Sequence, residues 1–238
     1  MTVVVLTRDE ESRLSRALGS LPHGVSILVL DAQSCDRTRE IAALYGARVV
    51  ERPWNGFVDA RRFALAQVAT PWAFALDADE ALDDDLRDAL LGCTGTADGY
   101  AILRDTYFCG KPLRMWKGES LLRLMRVANA RVEANPASGG AAELHERYVV
   151  DGPVQRLSGR LFHYSYETVE SYREKFARYT DLEAAGDPPR ANPLLVPLRF
   201  AHALFARGAL LDGSRGIYIA WMSALYPSVV SWKARRAR

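Results

Sequence analysis

Two aspartates spaced one residue apart are the residues of this sequence best placed to do chemistry. Residues 72–76 are all apolar, and they lead directly into Asp77, Asp79 and Glu80. A short apolar segment that starts after Pro71 and ends in acidic residues predicts a β-strand buried on both faces. Its carboxylates then project from the C-terminal edge of the strand, where open α/β sheets bind their ligands.

Carboxylates at one edge of a sheet repel each other, and a shared divalent cation allows both to stay ionised. We therefore predict that Asp77 and Asp79 bind Mg²⁺ or Mn²⁺ together with a metal-bound diphosphate. An Asp-x-Asp pair is also common by chance, and acids are favoured at the start of a helix, so this segment alone leaves both interpretations open. We assign the helix-start role to residues 83–85, whereas Asp77 lies too early in the chain for it.

The segments around these acids alternate between strand and helix patterns. Strands are predicted at 3–6, 26–30, 47–50 and 72–76, and helices at 10–21, 38–45 and 58–69. This order, with nearly unbroken apolar strands, predicts an α/β fold whose parallel sheet is covered by helices on both faces. Asp31 ends the second strand as Asp77 ends the fourth, so we expect both at one edge of the sheet. The chain has neither Gly-x-Gly-x-x-Gly nor a Gly-Lys-Ser/Thr loop, which excludes a dinucleotide fingerprint and a P-loop.

Length and composition fit a cytosolic globular protein. The 238 residues suffice for one α/β domain and an appendage, and 49% hydrophobic with 25% charged residues is ordinary for such a chain. Cys35, Cys93 and Cys109 lack metal-ligand spacing, which favours reduced thiols. The N-terminal apolar run is too short for a signal peptide, so we expect a strand there. No nucleic-acid partner is expected.

Several segments, taken in order, resemble the signature of family 2 inverting glycosyltransferases. The first set comprises residues 5–11, 29–38, 54–57 and 76–80. The second set comprises residues 110–111, 123–124, 144–146, 163–166 and 211–213. Because these matches run through almost the whole chain, they are more specific together than any one alone. Within the family, the chain is most similar to the lipopolysaccharide-core β-glucosyltransferase-like branch.

The resemblance implies a GT-A fold, which is Rossmann-like with a mostly parallel sheet and helices on both faces. It also implies a nucleotide-diphospho-sugar donor, for which we favour a UDP-sugar, a divalent metal, and inversion at the anomeric carbon. The implied acceptor is a hydroxyl of a cell-envelope glycan or glycolipid, like those of the lipopolysaccharide core.

The resemblance also assigns roles to single residues. Thr7 and Arg8 would lie beside the nucleoside, Asp31 would bond the base or ribose, and Arg61 would lie near the nucleotide or its diphosphate. Asp77 and Asp79 would be the sugar and metal carboxylates.

Three residues depart from the family pattern. Arg8 stands where an aromatic residue is frequent, Ala32 where a second acid or a serine is, and Arg62 where an asparagine is usual. These departures concern which nucleobase the donor carries and how that nucleobase stacks, although a guanidinium plane can also stack on a nucleobase.

An inverting transfer needs a base that removes the proton of the acceptor hydroxyl. We assign this role to Glu146 because of its matched His-Glu context, and Asp151 is the alternative, although Asp151-Gly152-Pro153 also resembles a turn. The glycine- and alanine-rich residues 135–142 just before it are predicted to form a loop that gates the acceptor side.

Two further residues of the second half have open roles. Arg123 is either a salt-bridge partner on a sheet face or a ligand of the acceptor or phosphate. His163 is either a core residue or a group that completes the metal shell or contacts the diphosphate.

The C-terminal segment differs in charge from the rest of the chain. Residues 188–238 hold eight Arg or Lys and one acid, a net charge of +7, so the preceding residues sum to −5. We therefore divide the chain into a catalytic domain, residues 1–186, and a basic tail, residues 187–238. In the last helix of the catalytic domain, an apolar stripe that includes Tyr172, Phe176 and Tyr179 is expected to pack against that domain.

The tail is predicted to form amphipathic helices at 195–211 and 216–232, the second interrupted by Pro227. Neither is a clean run of about 20 apolar residues, so a spanning helix is not expected. We expect the helices to lie in the interface of an anionic bilayer, on the cytosolic face of the inner membrane. The alternative is a helical pair packed on the protein or on a second subunit, as in a homodimer.

Two other functions share the predicted sheet. A nucleotidyltransferase should carry a glycine-rich basic loop after its first strand, whereas residues 7–11 are largely acidic and contain no glycine. A non-catalytic nucleotide-binding scaffold with the same fold is the other alternative.

Overall fold

The computed structural model describes residues 1–93, 95–134, 146–186, 188 and 190–236. The predicted acceptor-side loop, residues 135–142, lies outside the described residues. Within the described part, the chain forms two compact units. The first unit contains residues 1–104, 118–134 and 146–163, and the second unit contains residues 105–117 and 164–236. The last helix predicted for the catalytic domain therefore belongs to the same unit as the tail.

The described residues form ten strands and seven α-helices. The strands are β1 Thr2–Thr7, β2 Ser26–Asp31, β3 Arg48–Glu51, β4 Trp72–Asp77, β5 Glu80–Leu82, β6 Gly99–Phe108, β7 Lys111–Arg126, β8 Ala130–Ala134, β9 Glu146–Val150 and β10 Val154–Tyr166. The helices are α1 Leu14–Gly19, α2 Thr38–Leu44, α3 Phe57–Ala66, α4 Asp84–Leu91, α5 Val169–Ala185, α6 Val196–Phe205 and α7 Gly213–Arg236.

Eight strands form one sheet in the order β3-β2-β1-β4-β7-β6-β10-β5, and β8 pairs with β9 separately. The predicted βαβ segment gives the four parallel strands β3, β2, β1 and β4. Their register pairs Thr7 with Asp31 and Leu6 with Asp77. The expectation that Asp31 and Asp77 lie at the same edge of the sheet is therefore confirmed.

Strand β4 is apolar throughout because both of its faces are covered. Phe74 and Leu76 are buried in a core that α1 and α4 help to form, whereas Ala73 and Ala75 belong to a second core with Met125. Side chains alternate between the faces of a strand, so burial of both faces requires apolar residues at every position. The predicted strand, buried on both faces, is confirmed.

The predicted start of α4 is confirmed as well. Asp83 precedes the helix, and its side chain accepts a hydrogen bond from the Leu86 amide at 2.8 Å. Asp84 and Asp85 lie in the first helical turn, where the macrodipole favours negative charge.

The second unit contains helices α5, α6 and α7 around a core that includes Phe108, Tyr172 and Ile219. A capping box between Thr168 and Ser171 starts α5. Helix α7 continues through Pro227, so the interruption predicted there is wrong. The first tail helix, α6, ends at Phe205, and Gly208, with a φ of 75°, follows in the break before α7.

Candidate active site

The carboxylate of Asp77 lies between two buried guanidinium groups at the C-terminal end of β4. Arg61 on α3 donates from Nη2 to Asp77 Oδ1 at 2.9 Å, and Arg123 on β7 donates from Nη2 to Oδ2 at 2.8 Å. The two arginines are only 7% and 5% exposed. Strand β4 pairs antiparallel with β7, and this pairing brings Arg123 to the end of β4. Both oxygens of Asp77 therefore have cationic partners within the protein.

Glu80 extends this network on β5. Its side chain is fully buried, and its Oε1 accepts from Arg123 Nη2 at 2.7 Å and from Arg104 Nη1 at 3.2 Å. Its Oε2 accepts from the backbone amide of Asp77 at 3.1 Å. Arg104 also donates to Glu119 at 2.5 Å. In the sequence Glu80 is only one member of an acidic run, whereas in the structure it is buried and bonded to the Asp77 amide.

The arginines determine the charge of Asp77. Burial by itself raises the pKa of this carboxyl, but Arg123 and Arg61 hold the pKa well below its usual value. The stabilisation that results is present above the unfolded pKa of about 4, and it is lost as the pH falls through the lower folded value. Asp77 is therefore ionised at neutral pH through its arginine partners. A divalent cation shared with Asp79 is not required to keep it ionised.

Glu146, the predicted base, lies at the start of β9 and is bound to the same network. Arg61 donates from Nε to Glu146 Oε1, so a single guanidinium contacts both Glu146 and Asp77. The Tyr148 ring lies beside this group, with its centroid 5.4 Å from the guanidinium carbon. The alternative base, Asp151, pairs with Arg131 at an exposed position, with 73% of its side chain accessible.

These charged residues line a cavity of about 390 Å³. Arginines 61, 104, 123 and 147 contribute to the lining together with Asp77, Glu119 and Glu146. A concave site with several converging polar groups is where a small ligand is expected to bind. The Nε of Arg123 is buried and has no hydrogen-bond partner among the described residues. Arg123 forms salt bridges with Asp77 and Glu80, which is one of its two predicted roles, and it also lines the cavity.

Asp79 and His163 lie together, as the metal prediction requires. The Nε2 of His163 is 3.4 Å from Asp79 Oδ2, and the two side chains are 16% and 15% exposed. The pairing of β5 with β10 aligns Glu80 with His163, which places the histidine next to the Asp79 turn. Arg13 Nη1 lies 3.8 Å from the same Asp79 oxygen.

This pair fits one divalent cation but does not complete its shell. A carboxylate oxygen and an imidazole nitrogen at this separation can both bond one ion at about 2.1 Å. Among the described residues, no group of three or more His, Cys, Asp or Glu is arranged to hold a metal. Asp77, the third predicted ligand, has arginines at both oxygens, and its role as a metal ligand stays a prediction.

The predicted nucleotide residues lie at the ends of β1 and β2. Asp31 is fully buried, and its Oδ2 accepts from Thr7 Oγ1 at 2.9 Å and from Ser34 Oγ at 2.5 Å. Its Oδ1 accepts from the Ser34 amide at 2.8 Å, which fixes the loop after β2. A narrow crevice lined by Asp31, Ala32 and Trp54, among others, opens here, and Arg8 is exposed.

One departure from the family pattern has a structural reason. Arg62 Nε donates to the carbonyl oxygen of Val132 at 3.0 Å and so ties α3 to β8. A shorter asparagine at this position could not reach as far. Nothing in the described contacts explains the choice of Arg8.

Comparison with known proteins agrees with the resemblance found in the sequence. Residues 2–140 match the sequence profile of Glycosyl transferase family 2. The lipopolysaccharide core biosynthesis glycosyltransferase LpsC of Rhizobium meliloti (strain 1021) is 27% identical over 252 residues, covering 98% of this chain and 91% of LpsC. An uncharacterized glycosyltransferase of Rickettsia typhi is 27% identical and covers 77% of this chain and 66% of its own length.

One solved structure supports the fold independently. The mannosyltransferase PcManGT from Pyrobaculum calidifontis, in complex with GDP-Man and Mn²⁺, superposes with a TM-score of 0.57 at 15% identity. The superposition covers 100% of this chain and 87% of that one. The predicted GT-A fold with additional C-terminal helices is confirmed.

We predict that replacing Arg123 destabilises the protein strongly. Arg123→Met should lower the free energy of unfolding by about 3 kcal/mol, because it leaves the buried Glu80 and the partly buried Asp77 with too few cationic partners. Urea denaturation followed by circular dichroism measures this change. The matched control is Arg37→Met, which breaks an exposed pair with Glu40 and should cost less than about 1 kcal/mol. Equal small losses in the two variants would show that the buried network does not stabilise the fold.

Proposed function

Since this chain belongs to glycosyl transferase family 2, we propose that it moves a sugar from a nucleotide-diphospho-sugar to an acceptor hydroxyl with inversion at the anomeric carbon. The proposed acceptor is a cell-envelope glycan or glycolipid of the lipopolysaccharide-core type, which similarity to LpsC over most of both chains supports. The observation that carries the proposal is the cavity in which Arg61 holds Asp77 and Glu146 together.

Glu146 is the proposed catalytic base. Inversion requires attack by the acceptor oxygen from the face opposite the leaving group, with a base that takes the hydroxyl proton during the attack. Arg61 binds Oε1 of Glu146 and so fixes the carboxylate plane, and we assign proton removal to Oε2. Only 11% of this side chain is exposed, which limits competition from bulk water.

Asp79 and His163 are the proposed protein ligands of Mg²⁺ or Mn²⁺. When bound, the cation would neutralise negative charge on the leaving nucleoside diphosphate. The diphosphate oxygens would supply further ligands, since the protein pair alone is too small a set. The Mn²⁺ bound to PcManGT supports a divalent metal.

The donor is proposed to contact the ends of β1, β2 and β4. Thr7, Arg8 and Asp31 are assigned to the nucleoside, and Arg61 is assigned to the nucleotide or its diphosphate. Asp77, held ionised by its arginines, is assigned to accept hydrogen bonds from the hydroxyls of the donor sugar. We favour a UDP-sugar as the donor.

We predict that Asp79 and His163 support metal-dependent donor binding. Asp79→Ala and His163→Ala should each weaken the binding of UDP in the presence of Mn²⁺ by roughly 10-fold or more, because each removes one of the two proposed protein ligands of the metal. Isothermal titration of UDP and GDP with and without Mn²⁺ measures this effect. Asp85→Ala, which removes an exposed acid of the first turn of α4, is the matched control and should change little.

The same titration discriminates between the proposed functions. Equal losses in the Asp79 and Asp85 variants would show that the wrong acids are assigned. Binding of nucleotides without metal dependence would favour a non-catalytic scaffold. Complete absence of nucleotide binding would contradict the proposed transferase.

We predict that Glu146→Gln retains donor binding but loses turnover. The substitution removes the proton acceptor while keeping the shape of the side chain, so the turnover number should fall by roughly 10² or more. A coupled assay of nucleoside diphosphate release with acceptor measures turnover, and calorimetry measures donor affinity. Asp151→Asn is the control and should retain activity. Normal turnover of the Glu146 variant would remove this residue from the mechanism.

Helices α6 and α7 are proposed to attach the enzyme to the cytosolic face of the inner membrane. Leu194, Leu198, Phe205 and Leu211 are 84%, 67%, 73% and 70% exposed, and the tail around them is strongly basic. Exposed apolar side chains beside Arg and Lys are typical of a surface that enters an anionic lipid interface. Among the described residues, no single helix meets the length and hydropathy of a membrane span, while one bent pair, Pro193–Phe205 with Ala209–Arg236, does by length and composition only. The alternative is that these side chains pack against a second subunit.

We predict that the protein co-sediments with phosphatidylglycerol-containing vesicles, and less so at high salt. The Debye length falls from about 10 Å at 0.1 M to about 3 Å at 1 M, which screens the basic tail. The double variant Leu198→Ser, Phe205→Ser should bind vesicles less, as should a chain lacking residues 233–238. Leu44→Ser, which alters an 81% exposed leucine of the first unit, is the matched control. Absence of any vesicle binding at low salt would favour the second-subunit alternative, which analytical ultracentrifugation can test.

A further inference from the structure

A second cavity, of about 300 Å³, lies entirely among residues of the second unit. Six of the side chains that line it are aromatic, namely Trp116, Tyr166, Tyr172, Phe176, Tyr179 and Tyr226. Its size lies at the lower end of the range for small-molecule sites. The residues assigned to the nucleotide-sugar donor and the proposed catalytic base all belong to the first unit, so this cavity is a separate site.

Helical spacing places three of these rings on one face of α5. Phe176 and Tyr179 follow Tyr172 by four and seven residues, so the three side chains share a face. The predicted packing of this stripe is present, since Tyr172 and Phe176 pack with Phe108 and Leu113 of residues 1–186. The three side chains also line the cavity. On α7, Ser223 and Tyr226 line the opposite wall.

The rings support one another and hold the cavity open. Trp116 and Tyr166 have ring centroids 5.7 Å apart, and Tyr166 and Tyr172 are 5.0 Å apart in an edge-to-face arrangement. Phe176 contacts Tyr172 at 6.1 Å and Tyr226 at 5.3 Å. Such edge-to-face contacts stabilise ring positions, so the wall is formed before a ligand arrives.

The chemistry of the lining selects a class of ligand. Of the described residues that line the cavity, Pro227 alone has an aliphatic side chain and none is charged, while four tyrosines and a serine supply hydroxyl groups. A lipid acyl chain is better matched by aliphatic walls, and a phosphate requires cationic or amide donors. The C–H face of a pyranose ring packs on an aromatic face, and its hydroxyls bond to phenol groups at the edge.

We propose that this cavity binds a neutral sugar ring of the acceptor glycan. This inference rests on the proposed function, because it takes the sugar to belong to the acceptor of a glycosyltransferase.

Two oxygens on the α7 wall are suited to accept hydrogen bonds from a sugar. The Tyr226 hydroxyl donates to Glu183 Oε1 at 2.8 Å, which leaves the phenol oxygen able to accept. Pro227 has no N–H, so the Ser223 carbonyl oxygen cannot receive the i+4 bond that an uninterrupted helix would provide. The proline within α7 thus leaves the carbonyl oxygen of a lining residue without its usual helical donor.

Saturation-transfer NMR on the full chain tests the proposal. The probes are deacylated lipopolysaccharide core oligosaccharide, methyl glycosides of common hexoses and heptoses, and, for the lipid alternative, monomeric sodium octanoate. Saturation of the aromatic protons should pass to ring C–H protons of at least one sugar probe. Tyr179→Ala and Tyr226→Phe should each reduce its affinity roughly 3- to 10-fold, the second without removing a ring.

Tyr45→Ala alters a partly exposed tyrosine of the first unit and should leave sugar binding unchanged. The proposal is overturned if no sugar probe binds the wild-type chain, if the two variants bind sugar as the wild type does, or if octanoate displaces the sugar. Calorimetry with UDP and Mn²⁺ on the same samples separates the two claims. Nucleotide binding without sugar binding rejects this subsite alone, and sugar binding without nucleotide binding rejects the proposed transferase while retaining a glycan site.

Discussion

Asp77 keeps its negative charge at the end of a buried strand because two guanidinium groups, from α3 and β7, meet it there. Taking these ions out of water is costly, and the pairing is favourable only because each oxygen and several N–H groups are matched. The pairing joins elements that are far apart in the sequence: Arg61 and Arg123 are 62 residues apart. A slip of one residue between β4 and β7 would turn Arg123 to the other face of the sheet and leave Asp77 with one partner. The charge balance therefore depends on the register of the sheet.

The same pairing shapes the chemistry available in the cavity. Arg61 contacts the residue assigned to the donor sugar and the residue assigned to the base, so the two carboxylates are positioned by one planar group. Fixed charges of this kind need little rearrangement when charge moves during a reaction, which is the usual advantage of a preorganised site. The proposed metal-binding pair, Asp79 and His163, lies just outside this network. Within the first unit, arginines contact both oxygens of Asp77, whereas Asp79 lies beside the imidazole of His163. The two acids thus have different surroundings although they are only two residues apart in the chain.

The sequence predicted the parts that depend on local pattern. Apolar runs identified β1, β2 and β4, and the rule for parallel sheets then put Asp31 and Asp77 at one edge. The roles of Glu80 and Arg104 could not be predicted from the sequence, because their partners depend on long-range pairing among β5, β6, β7 and β10. Arginines can also supply the counter-charge for neighbouring carboxylates, and a basic residue in a buried strand is the signal that could have suggested them. In the tail, α7 continues through Pro227 because its packing in the second unit outweighs the loss of one backbone hydrogen bond.

Shared partners have an evolutionary consequence. Arg123 contacts two acids, Glu80 contacts two arginines, and Arg61 contacts two carboxylates. Substitution of any one of these residues alone would therefore leave a charge of the network without a partner. Substitutions at these positions would be tolerated mainly when they occur in compensating groups. Among related sequences, the set should therefore be inherited or replaced as a block and should show covariation, whereas exposed pairs such as Arg37 and Glu40 are free to change one residue at a time.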